Sequence, residues 1–354
     1  MMMNLDYKSP QDAAQNQFDD EARTYDALLI VSFGGPEGMD DVIPFMENVL
    51  RGRNIPRARL EEVGEHYRLF GGVSPLNEQN RALIAALEKE LKANGPDLPI
   101  YWGNRNWQPY LTDTVRQMAA DGVKRALALF TTAYSSYSSC RQYREDILRA
   151  QAEVGPTAPE IDKIRAFYNH PGFVEPNVEN LQEALEQIPA ERRTHAHIAF
   201  TAHSLPQRMA DNCAYEAQLQ EVCRLVARAT KHDHWKLVYQ SRSGPPHQPW
   251  LEPDIVDHLE QIKAEGTTDV IVMPIGFISD HMEVMYDLDT EAAQAARKLG
   301  LNMVRAATVG THPQFISMIR ELILERTQAN PVRQALGERG PNHDICGAGC
   351  CLPA

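Results

Sequence analysis

The sequence predicts an α/β protein of two domains, each built on a parallel sheet. Three observations carry the prediction. Short, continuous apolar runs recur along the chain, each ended by Gly, Pro or a polar loop. Segments with helical apolar periodicity lie between them. The chain has 354 residues, enough for two domains with a core each. Strand–helix alternation of this kind builds parallel sheets through right-handed crossovers.

The first run is residues 26–33 (DALLIVSF), stopped by Gly34-Gly35-Pro36. A run apolar at successive positions suits a strand buried on both faces. A helical pattern at 77–92 separates it from the run at 99–102, and a second at 111–120 leads to the run at 125–130. Helices over 140–151 and 175–187 precede the run at 196–201. Then follow helix 215–230, run 236–239, helix 254–266, run 269–274, helix 280–299, run 302–306 and helix 314–327. Segments 153–159 and 188–194 are rich in Pro, Gly and charge, and the domain boundary is expected near one of them. Residues 329–341 read as a linker to a cysteine-bearing tail.

Composition narrows the function. Lys and Arg total 35 against 48 Asp and Glu, a net charge of −13. Such a surface repels phosphate backbones, so nucleic acid is not an expected partner. It favours a cation, although most of the charge is solvated surface. No apolar run reaches the length of a membrane span. Residues 1–23 are polar and acidic, unlike a signal peptide, and read as a disordered tail. A cytoplasmic protein is expected, one that can still touch a membrane or neighbouring enzymes from outside. Six cysteines in so long a chain are no secreted disulfide framework, and three of them, Cys346, Cys350 and Cys351, fall in the last nine residues.

Ligands of open α/β sheets bind beyond the carboxyl ends of the strands. After run 196–201 comes His203, whose imidazole can bind a metal, accept a proton, or simply hydrogen-bond a strand end. After run 269–274 comes GFISDHMEVMYDLDTE, with Ser279 as a plausible helix N-cap. Glu283, Asp287 and Glu291 then recur four apart on one helical face. That stripe reads either as solvated surface or as an oxygen-ligand path for a divalent cation, with His281 orienting Glu283. After run 236–239 comes a polar loop closed by Trp250. Tyr134, Tyr137, Tyr143, Trp102 and Trp107 follow other strand ends, so the aromatics suit either core packing or one planar-ligand cleft.

Read together, FTAHSLP (200–206), GFISDHMEVMYDLD (276–289), YQSR (239–242), PWLEPD (249–254), FGGVSPLNEQ (70–79), SFGGPE (32–37) and RGR (51–53) resemble ferrochelatase. The resemblance spans about residues 25 to 324. It implies two Rossmann-like chelatase domains with a porphyrin cleft between them and a C-terminal helix returning to the first. The expected division is a tail at 1–24, domains at 25–190 and 191–312, that helix at 313–328, and a linker with cysteine tail at 329–354. It implies insertion of ferrous iron into a porphyrin. His203 and Glu283 become the metal and proton residues, with Asp287 and Glu291 continuing the metal path. His203 is the preferred acceptor of pyrrole protons, and the two roles are exchangeable.

YWGNRNWQPYL, SSCRQYRED and QSRSGPPHQPWLEPD resemble the Gram-positive-type branch, which acts on coproporphyrin III. That branch implies Ser74, Tyr134, Tyr143, Arg51 and Trp250 as porphyrin contacts, with Arg53 and Arg242 as further rim donors. Some relatives carry a tyrosine ligand where this chain has Phe33; a tyrosine from 134–143 is the expected substitute. The tail resembles the iron–sulfur extension of many ferrochelatases. It implies a 2Fe–2S cluster on Cys346, Cys350, Cys351 and Cys140, with zinc or free thiols as alternatives. Cys213 and Cys223 are expected to be spare. The alternatives in function are insertion into protoporphyrin IX, a haem carrier without catalysis, and cobalt insertion into a corrin precursor.

Overall fold

Two of the apolar runs close into strands with no exposed face: every residue of β1 (Ala27–Ser32) and of β7 (Asp269–Met273) is buried. The computed structural model describes residues 17–52, 57–244 and 247–353. Two four-stranded sheets form. In the first, β2 (Ile100–Asn104), β3 (Arg125–Phe130) and β4 (Glu160–Lys163) join β1 in the order β2-β1-β3-β4. In the second, β5 (His197–His203), β6 (Trp235–Gln240) and β8 (Asn302–Arg305) join β7 in the order β6-β5-β7-β8. All pairings within the two sheets are parallel.

The helices are α1 (Met39–Val49), α2 (Arg57–Arg68), α3 (Leu76–Asn94), α4 (Leu111–Ala120), α5 (Gln142–Val154), α6 (Pro171–Glu186), α7 (Gln207–Asp211), α8 (Tyr215–Ala229), α9 (Ile255–Ala264), α10 (Ala293–Leu299) and α11 (Pro313–Thr327). No helix among the described residues is long and apolar enough to cross a membrane. Two expected α-helices open differently. A π-helical turn at Tyr137–Arg141 precedes α5, and a π-helical segment at Val284–Ala292 precedes α10.

One apolar cluster runs through both halves. It joins Leu28, Ile30 and Leu127 of the first sheet to Ile198, Phe200 and Ile271 of the second. Phe167, Phe173 of α6 and Phe315 of α11 pack edge to face or tilted between them. Each fully buried side chain of this size contributes about 1.5–3 kcal/mol, so the halves share a core. α6 packs on α8, β7 and β8 as well as on α11, and so lies with the second sheet although it precedes residue 190. α11 packs on α3 and α6.

Residues 17–24, expected within a disordered tail, are held. Gln17 pairs antiparallel with Ile345. Asp19 is buried and takes Arg23 at 2.7 Å and Arg326 at 2.9 Å. Asp344 accepts from the Asp19 amide at 3.0 Å and from Arg333 at 2.7 Å. Beside them Arg165 forks onto Glu325 at 2.7 and 2.9 Å. Buried charge is stable only when paired in this way.

Candidate active site and cysteine centre

In each sheet the chain leaves the first strand on one side and returns on the other, so a crevice opens beyond the carboxyl ends of β1 and β3, and of β5 and β7. The second crevice holds the candidate reactive groups. His203 ends β5. Gly276 begins the loop after β7, and its amide donates to the Thr201 carbonyl at 3.0 Å. A Cβ on Gly276 would lie 2.6 Å from the Ala202 Cβ. Glycine is what lets this loop lie against β5 and bring Glu283 to His203.

His203 Nδ1 donates to the Ser204 carbonyl at 2.6 Å. That leaves Nε2 facing Glu283, 3.5 Å from Oε2. The side chains are 31% and 48% exposed, so the pair sits at an open mouth. His281 Nδ1 lies 4.0 Å from the same carboxylate and accepts the Glu283 amide proton at 3.2 Å. Burial opposes charge on both members. For His203 the Glu283 carboxylate outweighs burial and raises the imidazole to about 9. For Glu283 the His203 and His281 rings outweigh it and lower the carboxyl to about 2. Near neutral pH the resting pair is an imidazolium and a carboxylate.

Asp287 stands one turn further. It accepts from the Ser241 hydroxyl and from Gln240 Nε2 at 3.4 Å, while the same amide also reaches the Glu283 carbonyl at 3.1 Å. Burial first, opposed by Ser241 but joined by the charges of Glu283 and Glu291, pushes Asp287 up to about 7. Glu291 is exposed and touches the Tyr286 hydroxyl. The π-helical i→i+5 register keeps these acids on one face. Asp280 and Asp289 are set apart from this row: Arg305 holds them at 2.9 and 2.6 Å. Sequence reasoning missed Gln240 and Ser241 as the holders of Asp287; their place at the end of β6 and just after it, at the third strand end of the crevice, was the available signal.

The first half supplies the facing wall. His66 of α2 stacks on Tyr286 with centroids 3.8 Å apart, and Tyr67 is close enough to Glu283 for that charge, after burial, to raise its phenol. Phe33 is 36% exposed, with the Arg105 guanidinium 5.9 Å above its ring. Arg105 pairs with Asp146 at 2.8 Å. Gln79 of α3 accepts from the Asp280 amide at 2.9 Å and ties this wall to the reactive loop.

The expected porphyrin contacts divide. Arg51 is exposed and donates to Asn48 Oδ1 at 2.5 Å; Arg53 lies outside the described residues. Arg242 flanks the crevice on the loop after β6 and pairs with Glu252 at 3.4 Å. Ser74, Tyr134, Tyr143 and Trp250 are all buried. The Ser74 amide donates to the Pro36 carbonyl at 2.9 Å. The Tyr134 hydroxyl donates to the Ile275 carbonyl at 2.7 Å. Tyr143 packs on Phe130, and Trp250 fills the space beside Gly244 and pairs with Pro206. Tyr137 bonds to Glu145 at 3.3 Å, and both it and Tyr143 lie close enough to feel the charge of Arg105, the cation over Phe33.

The cysteine tail docks on the first half. Cys140, on the π-helical turn before α5, contacts Cys346 and Cys351, and Cys350 Sγ lies 3.5 Å from Cys351 Sγ. Arg141 donates to the carbonyls of Ala348 and Cys350 at 2.7 and 2.9 Å, and Arg144 to that of Cys346 at 3.4 Å. Cys346 is held well below the usual thiol range, first by contact with Cys140 and then with Cys350. Four convergent thiols ringed by cations fit the four thiolate ligands of an iron–sulfur cluster. His343, which sequence reasoning passed over, joins them: its Nε2 lies 3.3 Å from Cys346 Sγ and 3.9 Å from Cys350 Sγ. Cys213 and Cys223 lie outside this group; Cys223 is buried.

Comparison with known proteins adds to this picture. The profile of the ferrochelatase family matches residues 25–327. A ferrochelatase of Rhodopirellula baltica is 58% identical over 94% of this chain and 95% of its own length. A coproporphyrin III ferrochelatase of Streptomyces coelicolor is 55% identical, covering 94% of each chain. Among solved structures, SirB from Bacillus subtilis with Fe3+ superposes with a TM-score of 0.53 at 11% identity, over 87% of this chain and 99% of that one. At that identity the likeness is one of fold.

Proposed function

The chain belongs to the ferrochelatase family, and on that premise we propose that it inserts ferrous iron into coproporphyrin III, with His203 and Glu283 as the reacting groups. The observation that carries the assignment of residues is their juxtaposition, Nε2 to Oε2 at 3.5 Å, at the crevice of the second sheet. The substrate assignment is supported by relatives named coproporphyrin III ferrochelatase at 47–55% identity. We also propose a cytoplasmic setting, supported by six cysteines that are all free thiols, as suits a reducing compartment.

The chemistry follows from the charges. An arriving Fe2+ repels the His203 imidazolium and drives off its proton, which frees Nε2 while Glu283 keeps its negative charge. Imidazole and carboxylate are then a pair of donors for the ion as it sheds water. As iron enters a ring bent within the cleft, two pyrrole protons leave. His203 Nε2 takes them in turn, and Glu283 and Asp287 carry them outward. Asp287, at about 7, exchanges protons readily near neutral pH, and exposed Glu291 releases them to water.

At the tail, Cys140, Cys346, Cys350 and Cys351 are the proposed holders of a 2Fe–2S cluster. When bound, such a cluster supplies a one-electron couple and a cross-link between the tail and the first half. Two experiments test the function. His203→Ala is expected to abolish insertion while coproporphyrin fluorescence quenching still reports binding; near-normal turnover would sink the assignment. Turnover with coproporphyrin III and protoporphyrin IX in competition is expected to favour the former; a preference for protoporphyrin IX would move the chain to the other substrate.

A further inference from the structure

We infer that His343 donates an N–H···S hydrogen bond to the cysteine centre and thereby sets the reduction potential of the cluster, which makes the centre a tuned redox site as well as a staple. The inference rests on the reading of the four thiols as cluster ligands.

His343, Cys346 and Cys350 bring their donor atoms within 4.8 Å of one another. The thiols of Cys140, Cys346, Cys350 and Cys351 already supply the four ligands that a 2Fe–2S cluster needs. His343 Nε2 is 3.3 Å from Cys346 Sγ, the distance of an N–H···S contact, and 3.9 Å from Cys350 Sγ. It approaches from the tail itself, three residues before Cys346. The side chains of its two neighbours are anchored. Asn342 accepts from Gln218 at 3.3 Å, and Asp344 is buried against Arg333 at 2.7 Å and the Asp19 amide at 3.0 Å. Lys163 reaches the His343 carbonyl at 3.5 Å. A side chain held this firmly beside a ligand atom is how outer groups tune a metal centre. Reduction adds an electron to a cluster already carrying four thiolates. A donor on sulfur stabilises the added charge, so His343 raises the potential.

The test uses the full-length protein purified without oxygen. Iron and sulfide analysis with the visible spectrum first establishes whether a cluster is present; its absence overturns the inference together with the reading beneath it. With the cluster present, spectroelectrochemical titration compares wild type, His343→Ala and His343→Gln. The expected result is a lower potential in H343A, partial recovery in H343Q because an amide N–H still donates, and unchanged electron paramagnetic resonance line shape. Equal potentials in all three proteins overturn the inference while leaving the cluster intact. Strong nitrogen hyperfine coupling in the wild type, with one of the four cysteines dispensable for cluster binding, also overturns it by making His343 a ligand.

Discussion

Glu283→Gln isolates the charge that holds the reactive pair. In the wild type Glu283 lifts His203 from 6.5 to about 9 against burial. The rise is worth about 3 kcal/mol undamped. Glu283 is 48% exposed, so water screens the pair and about 1 kcal/mol survives as stability. The signs fix the pH window. His203, raised, contributes fully below 6.5 and loses its contribution as pH climbs through about 9. Glu283, lowered, contributes above 4.5 and loses it as pH falls through about 2. Both contributions are complete between 4.5 and 6.5. Urea denaturation of wild type and variant is expected to differ by about 1 kcal/mol in that window and to converge above the His203 titration. In the variant, the NMR titration of the His203 ring is expected to fall from about 9 toward 6.5, because burial then acts with less opposition. Insertion is expected to drop ~100-fold or more with loss of a relay group. A ring that still titrates near 9 in the variant would refute the pairing.

Three other perturbations follow from the same structure. Asp287→Asn removes a buried carboxyl raised from 3.8 to about 7, whose charge is disfavoured in the fold; it is expected to stabilise the protein by on the order of 1–2 kcal/mol at alkaline pH, with no gain below 3.8, and to flatten the pH–rate profile near neutrality. Gly276→Ala places a methyl where the Ala202 Cβ is 2.6 Å away, so the loop must lift from β5; a folded protein with at least ~10-fold lower insertion and unchanged porphyrin quenching is expected, and full activity would show the close approach to be dispensable. Arg165→Met strips Glu325 of its buried partner and is expected to cost about 3–5 kcal/mol in denaturant unfolding, with Glu325→Met in the same chain restoring much of it.

Much of the fold was legible because both sheets are buried. Parallel strands packed in a sheet interior read as plain apolar runs, and all seven such runs lie where strands form, the edge strand β8 among them although none of its residues is buried. β4 (EIDK) escaped because it is an edge strand tied by ions rather than by apolar side chains, with Arg125 pairing to Glu160 and Asp162. α1 and α2 escaped for a related reason: Pro44 interrupts the first, and the second carries few apolar positions. The juxtaposed His203 and Glu283 were legible as candidates from their places at and after strand ends. The π register of the segment at Val284–Ala292 was not, since a spacing of four suits either helix. Nor was the burial of Tyr134 and Tyr143 legible, because an aromatic at a strand end looks the same whether it lines a cleft or backs it. His343 was hidden among the tail's polar residues and emerges only when the tail folds back onto Cys140.

The two sheets share one strand order, yet among the described residues the His203–Glu283 pair stands at the crevice of the second. The corresponding loops of the first are locked by buried amides: Asn104 to Asn77 and to the Gln108 carbonyl, Asn80 to Ser32. On the proposed function, the two halves act as a vice with one holding jaw and one reacting jaw. Kinetically the jaws separate. Substitutions in the first half should register in KM and in the choice of macrocycle, and those in the second in kcat. That separation gives natural variation a way to retune what is held without disturbing how the metal goes in.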